Sequence, residues 1–383
     1  MSSAKIRALL FVPIPILLLA LTACGSTPKT SCSLVPSSCG CGPSTTSSSV
    51  ACPANRFLFA AGFDGQLTTF PINLGSGALL SSTSIPGPQN SFGMTGLGYL
   101  YVSNPQIGGI SSIDAWAVDI GTGTLTAVPG SPFQLGPLSI AFGLAANSRS
   151  EVVYVADAGK IDTLQIGATG ALSPIAGSPF PAGNNMFLAI DPMDRFLFTS
   201  DVTAPGNVVA LAIDSGTGAL TPVPGSPFQI APNSSTFVEP AEIAVDGQGL
   251  FVYVALAGTN QIAGFQIDQS SGALTAVPGS PFSTGNGTMT LATVNEFLYV
   301  PNGIDGTLSA YSINTTNGVL TSISGSPFPF YAVSLAPDPI GSFMYASGSN
   351  GLLALSIDPT SGALTEIGTP VPYAGAIAMT VVP

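Results

Sequence analysis

From residue 56 onward the chain is written in short apolar pieces of strand length, separated by clusters of Gly, Pro, Asp, Asn and Ser. β-branched and aromatic residues fill the pieces, and turn-forming residues fill the gaps, which is the pattern of strands joined by hairpins. One stretch shows the layout. It predicts strands over 187–190, 195–200, 208–213 and 219–223, joined by turns over 191–194 and 214–218 and by a loop over 201–207.

This layout recurs. Gly-x-Leu appears at Gly77, Gly123, Gly170, Gly218, Gly272, Gly318 and Gly362, at spacings of 44 to 54 residues. Periods of this size belong to propeller blades, and a lone blade cannot bury its own faces. The prediction is all-β: a seven-bladed β-propeller of four-stranded antiparallel blades over residues 56–383. Arg56-Phe57-Leu58-Phe59 reads as a second strand, so the first blade lacks its innermost one, and 374–382 reads as an inner strand with no blade after it. Pairing the C-terminal strand with the first blade closes the ring and removes a free edge. Asp119, Asp214, Asp268 and Asp358, with Asn73 and Asn314, share one turn position, where a short side chain bonds the backbone two residues on. Asp191, Asp194, Asp246 and Asp338 read as structural in the other turn. Pro-Gly-Ser-Pro-Phe, at 129–133, 224–228 and 278–282 with variants at 176–180 and 324–328, is expected to end the outer strand and pack its Phe between blades. Trp116 falls in a third strand and reads as core.

Composition adjusts this picture in two ways. Charged residues make up 7%, the formal net charge is −12 and there is no His. That excludes a Ser-His-Asp triad or a His-based metal site, and the scarcity of cations excludes nucleic acid as a direct partner. No Walker loop or dinucleotide fingerprint is present.

The first 55 residues have a different character. Lys5 and Arg7 precede an apolar stretch from Ala8 to Ala20, which ends in Leu21-Thr22-Ala23-Cys24. This is an export signal over residues 1–23 whose end looks like a bacterial lipobox, making Cys24 the expected lipidation site. The lipid would tie the protein to a bilayer and place it outside the cytoplasm, on the cell membrane or the outer membrane. Residues 24–55, rich in Ser, Thr, Pro and Cys, read as a tether. Its Cys32, Cys39, Cys41 and Cys52 allow two disulfides in three connectivities, or a metal site of four thiolates.

Strand order sorts the loops onto two faces. The segments leading into inner strands, and the loops between second and third strands, share the top. Arg56, Arg149 and Arg195 fall on the bottom, and Lys160 is the top-face cation. Asp64, Asp157, Asp201, Glu239, Glu242 and Asp305 are the top-face acids. Around the channel mouth Asn90, Asn184, Asn185, Asn286, Tyr331 and Tyr373 are the candidate ligand-binding residues. Glu239 and Glu242 stand out, because no other repeat places acids there and a loop insertion at 231–238 precedes them. Amides beside a carboxylate suit sugar hydroxyls or a hard cation. The expected ligand is therefore a carbohydrate or an envelope protein partner. No cofactor is expected, Ca2+ being the ion such a site would take. In the enzymatic alternative, Glu239 or Glu242 activates water and Lys160 or Ca2+ stabilises the oxyanion.

Second strands such as Leu100-Tyr101-Val102-Ser103-Asn104 and Leu298-Tyr299-Val300-Pro301-Asn302, each leading to a Gly-x-Leu-Thr turn, give the chain a family likeness. It resembles the seven-bladed lactonase-type propellers, which include one class of 6-phosphogluconolactonase and the fungal carboxymuconate-lactonizing enzymes. The resemblance spans roughly residues 56–383 and implies the fold and a lactone-hydrolysing activity. Members with known chemistry use His, Arg and Glu around the channel. Here only Glu239 or Glu242 could fill the carboxylate role.

Overall fold

The computed structural model describes residues 55–382, apart from 107–108, 138, 158, 232–236 and 374–375. The export signal, most of the tether, Cys24 and the four cysteines that follow it lie outside the described residues. Seven antiparallel sheets follow one another around a ring, each built of four strands in the order inner to outer. The sheet nearest the chain start is the exception to sequence order. Its inner strand is Ala376–Val382, which pairs with Arg56–Gly62 from Phe57↔Val382 through Gly62↔Ala376. The predicted closure is therefore observed. Among the described residues no helix is long and apolar enough to cross a membrane.

Burial explains why these sequences make blades. Second strands such as Phe196–Asp201 and Phe251–Leu256 are buried along their whole length, as strands covered on both faces must be, and the others are exposed in part only at their ends. The core is a series of apolar seams between neighbouring sheets, one holding Trp116 with Phe57, Phe59 and Leu100.

A polar contact crosses most of these seams. Tyr101 donates its hydroxyl hydrogen to Gly170 O, Tyr154 to Gly218 O, Tyr253 to Gly318 O, Tyr299 to Gly362 O and Tyr345 to Gly77 O, at 2.7–3.0 Å. Each acceptor is the glycine of the Gly-x-Leu turn on the next blade. The first and fourth blades have Phe59 and Phe198 at the same place. The glycines are required: Gly123 has φ +72°, and a Cβ there would lie 2.5 Å from the Phe57 ring of the preceding blade. Gly-x-Leu is thus the acceptor half of a seam between blades.

The Pro-Gly-Ser-Pro-Phe segments correct an expectation. They interrupt the outer strand rather than end it. Leu125–Ala127 pairs with one end of Ser112–Val118, and Phe133-Gln134, where the motif ends, pairs with the other. In the gap, the third-strand N–H groups of Ala115, Thr163, Ala210, Gly264 and Ala310 donate to the hydroxyls of Ser131, Ser178, Ser226, Ser280 and Ser326, at 2.8–2.9 Å. The serine side chain replaces a missing ladder carbonyl. The phenylalanines do pack against inter-blade clusters, as expected.

The bottom-face charges are structural ties. Arg56 bridges to Asp338 at 2.7 Å, joining the first and seventh blades, and Arg195 bridges to Asp191 at 2.7 Å. Asp246 takes the N–H groups of Leu250 and Phe251 on one oxygen and that of Gln248 on the other. At the other bottom-face turn, between third and fourth strands, Asp119, Asp214, Asp268 and Asp358 each accept the N–H groups two and three residues on.

Candidate functional site

Each inner strand starts at the top face, and in four blades its first residues break register with the second strand. The shift falls between Gly62 and Ala61 in the first blade, and opposite Val155–Asp157, Asn185–Leu188 and Pro240–Ile243 in the third, fourth and fifth. A bulge re-aims the side chains beside it. Glu242 sits in the fifth blade's bulge and is 2% exposed. Its Oε2 accepts the N–H of Leu291 at 3.2 Å, and its own N–H donates to Met289 O at 3.2 Å. It therefore spans the gap between the inner strands of the fifth and sixth blades. The equivalent residues are Gly93, Gly143, Phe187, Thr290, Ser334 and Ala378. At Gly143 the inner strands come so close that a Cβ would lie 2.9 Å from Met186 O. The fifth and sixth strands, by contrast, leave room for a carboxylate. Glu239, three residues earlier, is exposed with φ +46°.

Lys160 lies on the third blade, in an ion cluster. Its Nζ is 2.9 Å from Asp157 Oδ2 and 3.4 Å from Asp162 Oδ2. Burial alone would lower its pKa, but the hydrogen bond and charge of Asp157, with Asp162, outweigh that and raise it. Burial pushes Asp162 up to about 6; Asp157 adds to the shift and Lys160 opposes it. Asp157 also accepts the N–H of Ile140 at 2.7 Å, pinning the segment that leads into the third inner strand. Asp201 does the same for Asn184, at 2.9 Å.

The predicted mouth residues differ in how they are held. Asn286 is tied into the rim: its N–H and Nδ2 donate to Asp305 at 2.7 and 3.0 Å, and its Oδ1 accepts from Asn260 at 3.2 Å. Tyr373 donates to Ala60 O at 3.1 Å, meets the Phe70 ring edge-on at 5.8 Å, and is pushed up to about 12 by burial. It is a packing residue of the closing seam. Asn184 is held by its backbone, and Asn185 is placed by its backbone pairing with Asp201. Asn90, with φ +56°, and Tyr331 are exposed. Among the described residues no group of three His, Cys, Asp or Glu is placed to hold a metal ion. Both carboxylate oxygens of Asp305 accept from Asn286, and the Asn286 amide oxygen accepts from Asn260.

The residue immediately before the Glu242 position was not foreseen as part of the site. Phe92, Phe142, Met186, Ala241, Met289 and Val333 occupy it in six blades, two places before the inner-strand residue opposite Val102 and its counterparts. All but Ala241 are half-exposed. Phe92 and Phe142 have ring centroids 5.8 Å apart. Phe92, of the second blade, also packs on the core cluster formed by the fourth to sixth blades. It reaches that cluster only across the centre of the ring. These residues form an apolar collar just beneath the amide-bearing rim. The signal lay in the sequence, where most of them follow a polar residue by one or two places, as in Asn90-Ser91-Phe92 and Asn185-Met186.

Known proteins share this architecture. The family model described as lactonase, 7-bladed beta-propeller, matches residues 226–330, which hold Glu239, Glu242 and Asn286. A candidate 6-phosphogluconolactonase from Bacteroides fragilis superposes with a TM-score of 0.72 at 18% identity, covering 89% of this chain and 100% of its own. One from Bacteroides uniformis gives 0.70 at 16%, covering 86% and 99%. The periplasmic gluconolactonase of Pseudomonas aeruginosa gives 0.63 at 18%, covering 86% and 99%. At these identities the likeness is one of fold. No curated protein matches the sequence.

Proposed function

We propose that this is a lactonase-like propeller that takes a cyclic ester at its top face and opens it with Glu242. The observation that carries the reading is the buried carboxylate of the fifth inner strand, held at a bulge where the other blades place small or apolar residues. The partial family match over 226–330 supports it, because that stretch contains the carboxylate. In the reaction Glu242 takes a proton from water as its oxygen adds to the lactone carbonyl. The ring C–O bond then breaks, and the proton passes to the departing alkoxide, giving a hydroxy acid. Glu239, exposed on the loop above, has no part in this step. Lys160 would have to leave Asp157 and Asp162 to meet an oxyanion, so its role is to hold the third blade's rim.

A second reading is favoured by that same ion cluster: with the top-face cation engaged, the propeller is a binding scaffold for a carbohydrate or an envelope protein. In either reading we infer an extracytoplasmic protein, anchored through a lipid on Cys24, since the first 24 residues have the form of a lipoprotein signal.

The test is lactone hydrolysis followed by pH-stat on the purified chain, with and without EDTA. Wild-type turnover is expected in both. Glu242→Gln should lose about 10²–10⁴-fold, with Glu239→Gln close to wild type. Equal activity in Glu242→Gln, or no turnover on any lactone, would leave the scaffold reading.

A further inference from the structure

The collar beneath the rim has a chemical character that the amides above it conceal. Phe92, Phe142, Met186, Met289 and Val333 present half-exposed apolar surface at one level around the ring, and two of the rings are in contact at 5.8 Å. Ala241 is the small member of this set and adjoins Glu242 in the chain. The collar's smallest side chain is therefore on the fifth blade, buried beside the carboxylate. On the top-face loops of the fifth to seventh blades, Phe237, Ile304 and Tyr331 are 38%, 67% and 39% exposed.

The charges point the same way. Among the described residues Lys160 is the one cation on the top side, and it stands between two carboxylates. Glu239, Asp64 and Asp305 add negative charge on the same side. An anionic ligand would be repelled there and would find no uncommitted cation. Four described polar residues of the rim are already engaged: Asn286 bonds Asp305 and Asn260, and Tyr373 bonds Ala60. A polyhydroxylated ring held against Phe and Met would lose water contacts without replacing them.

We propose that the top-face site selects an uncharged lactone bearing an aryl or alkyl group, with that group against the collar and the ester at Ala241–Glu242. The inference rests on the lactone reading given above and names its substrate class. It also distinguishes this chain from any protein that takes a phosphorylated sugar lactone, since such a ligand is both anionic and hydroxyl-rich.

The experiment separates binding from turnover. The full-length Glu242→Gln protein is titrated by calorimetry with dihydrocoumarin and δ-decalactone, and in parallel with glucono-δ-lactone and its 6-phosphate. The apolar lactones are expected to bind at least about tenfold more tightly than either sugar lactone, a ratio of the size that a few methylenes in an apolar pocket provide. Ala241→Phe, which puts a large ring at the collar's smallest position, and Met186→Gln, which wets the collar on a neighbouring blade, should each erase most of that preference. Thermal melts check that both variants remain folded, and Met186→Gln keeps the test open if the larger side chain disrupts the blade. Equal or tighter binding of the sugar lactones, a preference untouched by both substitutions, or no binding of either class would overturn the proposal. If the apolar lactones bind but wild-type protein does not hydrolyse them, the ligand class stands and the hydrolase reading fails.

Discussion

The Tyr345 hydroxyl donates to the carbonyl oxygen of Gly77 at 3.0 Å, joining the last blade to the first across the seam where the ring closes. Burial raises the tyrosine's pKa, so the group remains a neutral donor throughout the physiological range. Replacing it by Phe leaves the glycine carbonyl buried without its partner. Tyr345→Phe should cost about 1–3 kcal/mol in urea unfolding. A change within error would show that water substitutes for the hydroxyl.

The same arrangement predicts a gain. Phe198 stands where five other blades have Tyr, and the Gly272 turn of the next blade packs on Phe196, two residues before it. Phe198→Tyr should therefore stabilise the protein, by up to about 1 kcal/mol. A lower midpoint would mean that this seam is too tight to admit one more oxygen.

Gly123 tests the other half of the stitch. Its φ is +72°, and an added methyl group would sit 2.5 Å from the Phe57 ring, so Gly123→Ala combines backbone strain with overpacking. The expected loss is about 2–4 kcal/mol, read as a fall in the urea midpoint without change in slope.

Ser280 carries the broken outer strand of the fifth blade by accepting the Gly264 N–H at 2.9 Å. Ser280→Ala should expose that amide to exchange and cost about 1–2 kcal/mol. Retained protection at Gly264 would argue that the proline bulge holds the strand without the hydroxyl.

Asp162 gives a pH signature. Its pKa in the folded chain is raised to about 6 from 3.8, so between those values the folded protein holds more protons than the unfolded one. Stability from this group is then greatest below pH 3.8 and falls as pH rises through about 6. Asp162→Asn should remove that fall, so its stability relative to wild type should increase from pH 4 to pH 7. A difference that does not vary with pH would refute the assignment.

The ring was legible because its signal is repeated. Seven Gly-x-Leu turns, and strand pieces of constant length between them, leave few other ways to bury the chain, and even the closing partner of Phe57 could be named. The stitch was hidden because Tyr101 and Gly170 are 69 residues apart, and a contact at that range has no local pattern. The site was only half legible. Acids and amides at the mouth draw attention as residue types, but type does not show whether a side chain is already bonded. Asn286 and Lys160 prove to be engaged with Asp305 and with Asp157, whereas Met186 and Phe92, ordinary as letters, meet solvent at the centre. Glu242 was singled out for its rarity, and its burial at a bulge follows from register, which one strand's sequence does not contain.

Phe57 faces Val382 at the edge of the ring remote from the mouth. Polypeptide continuing past either residue must set off from that side. A fusion partner or surface attachment placed at either end would leave the collar facing away from it.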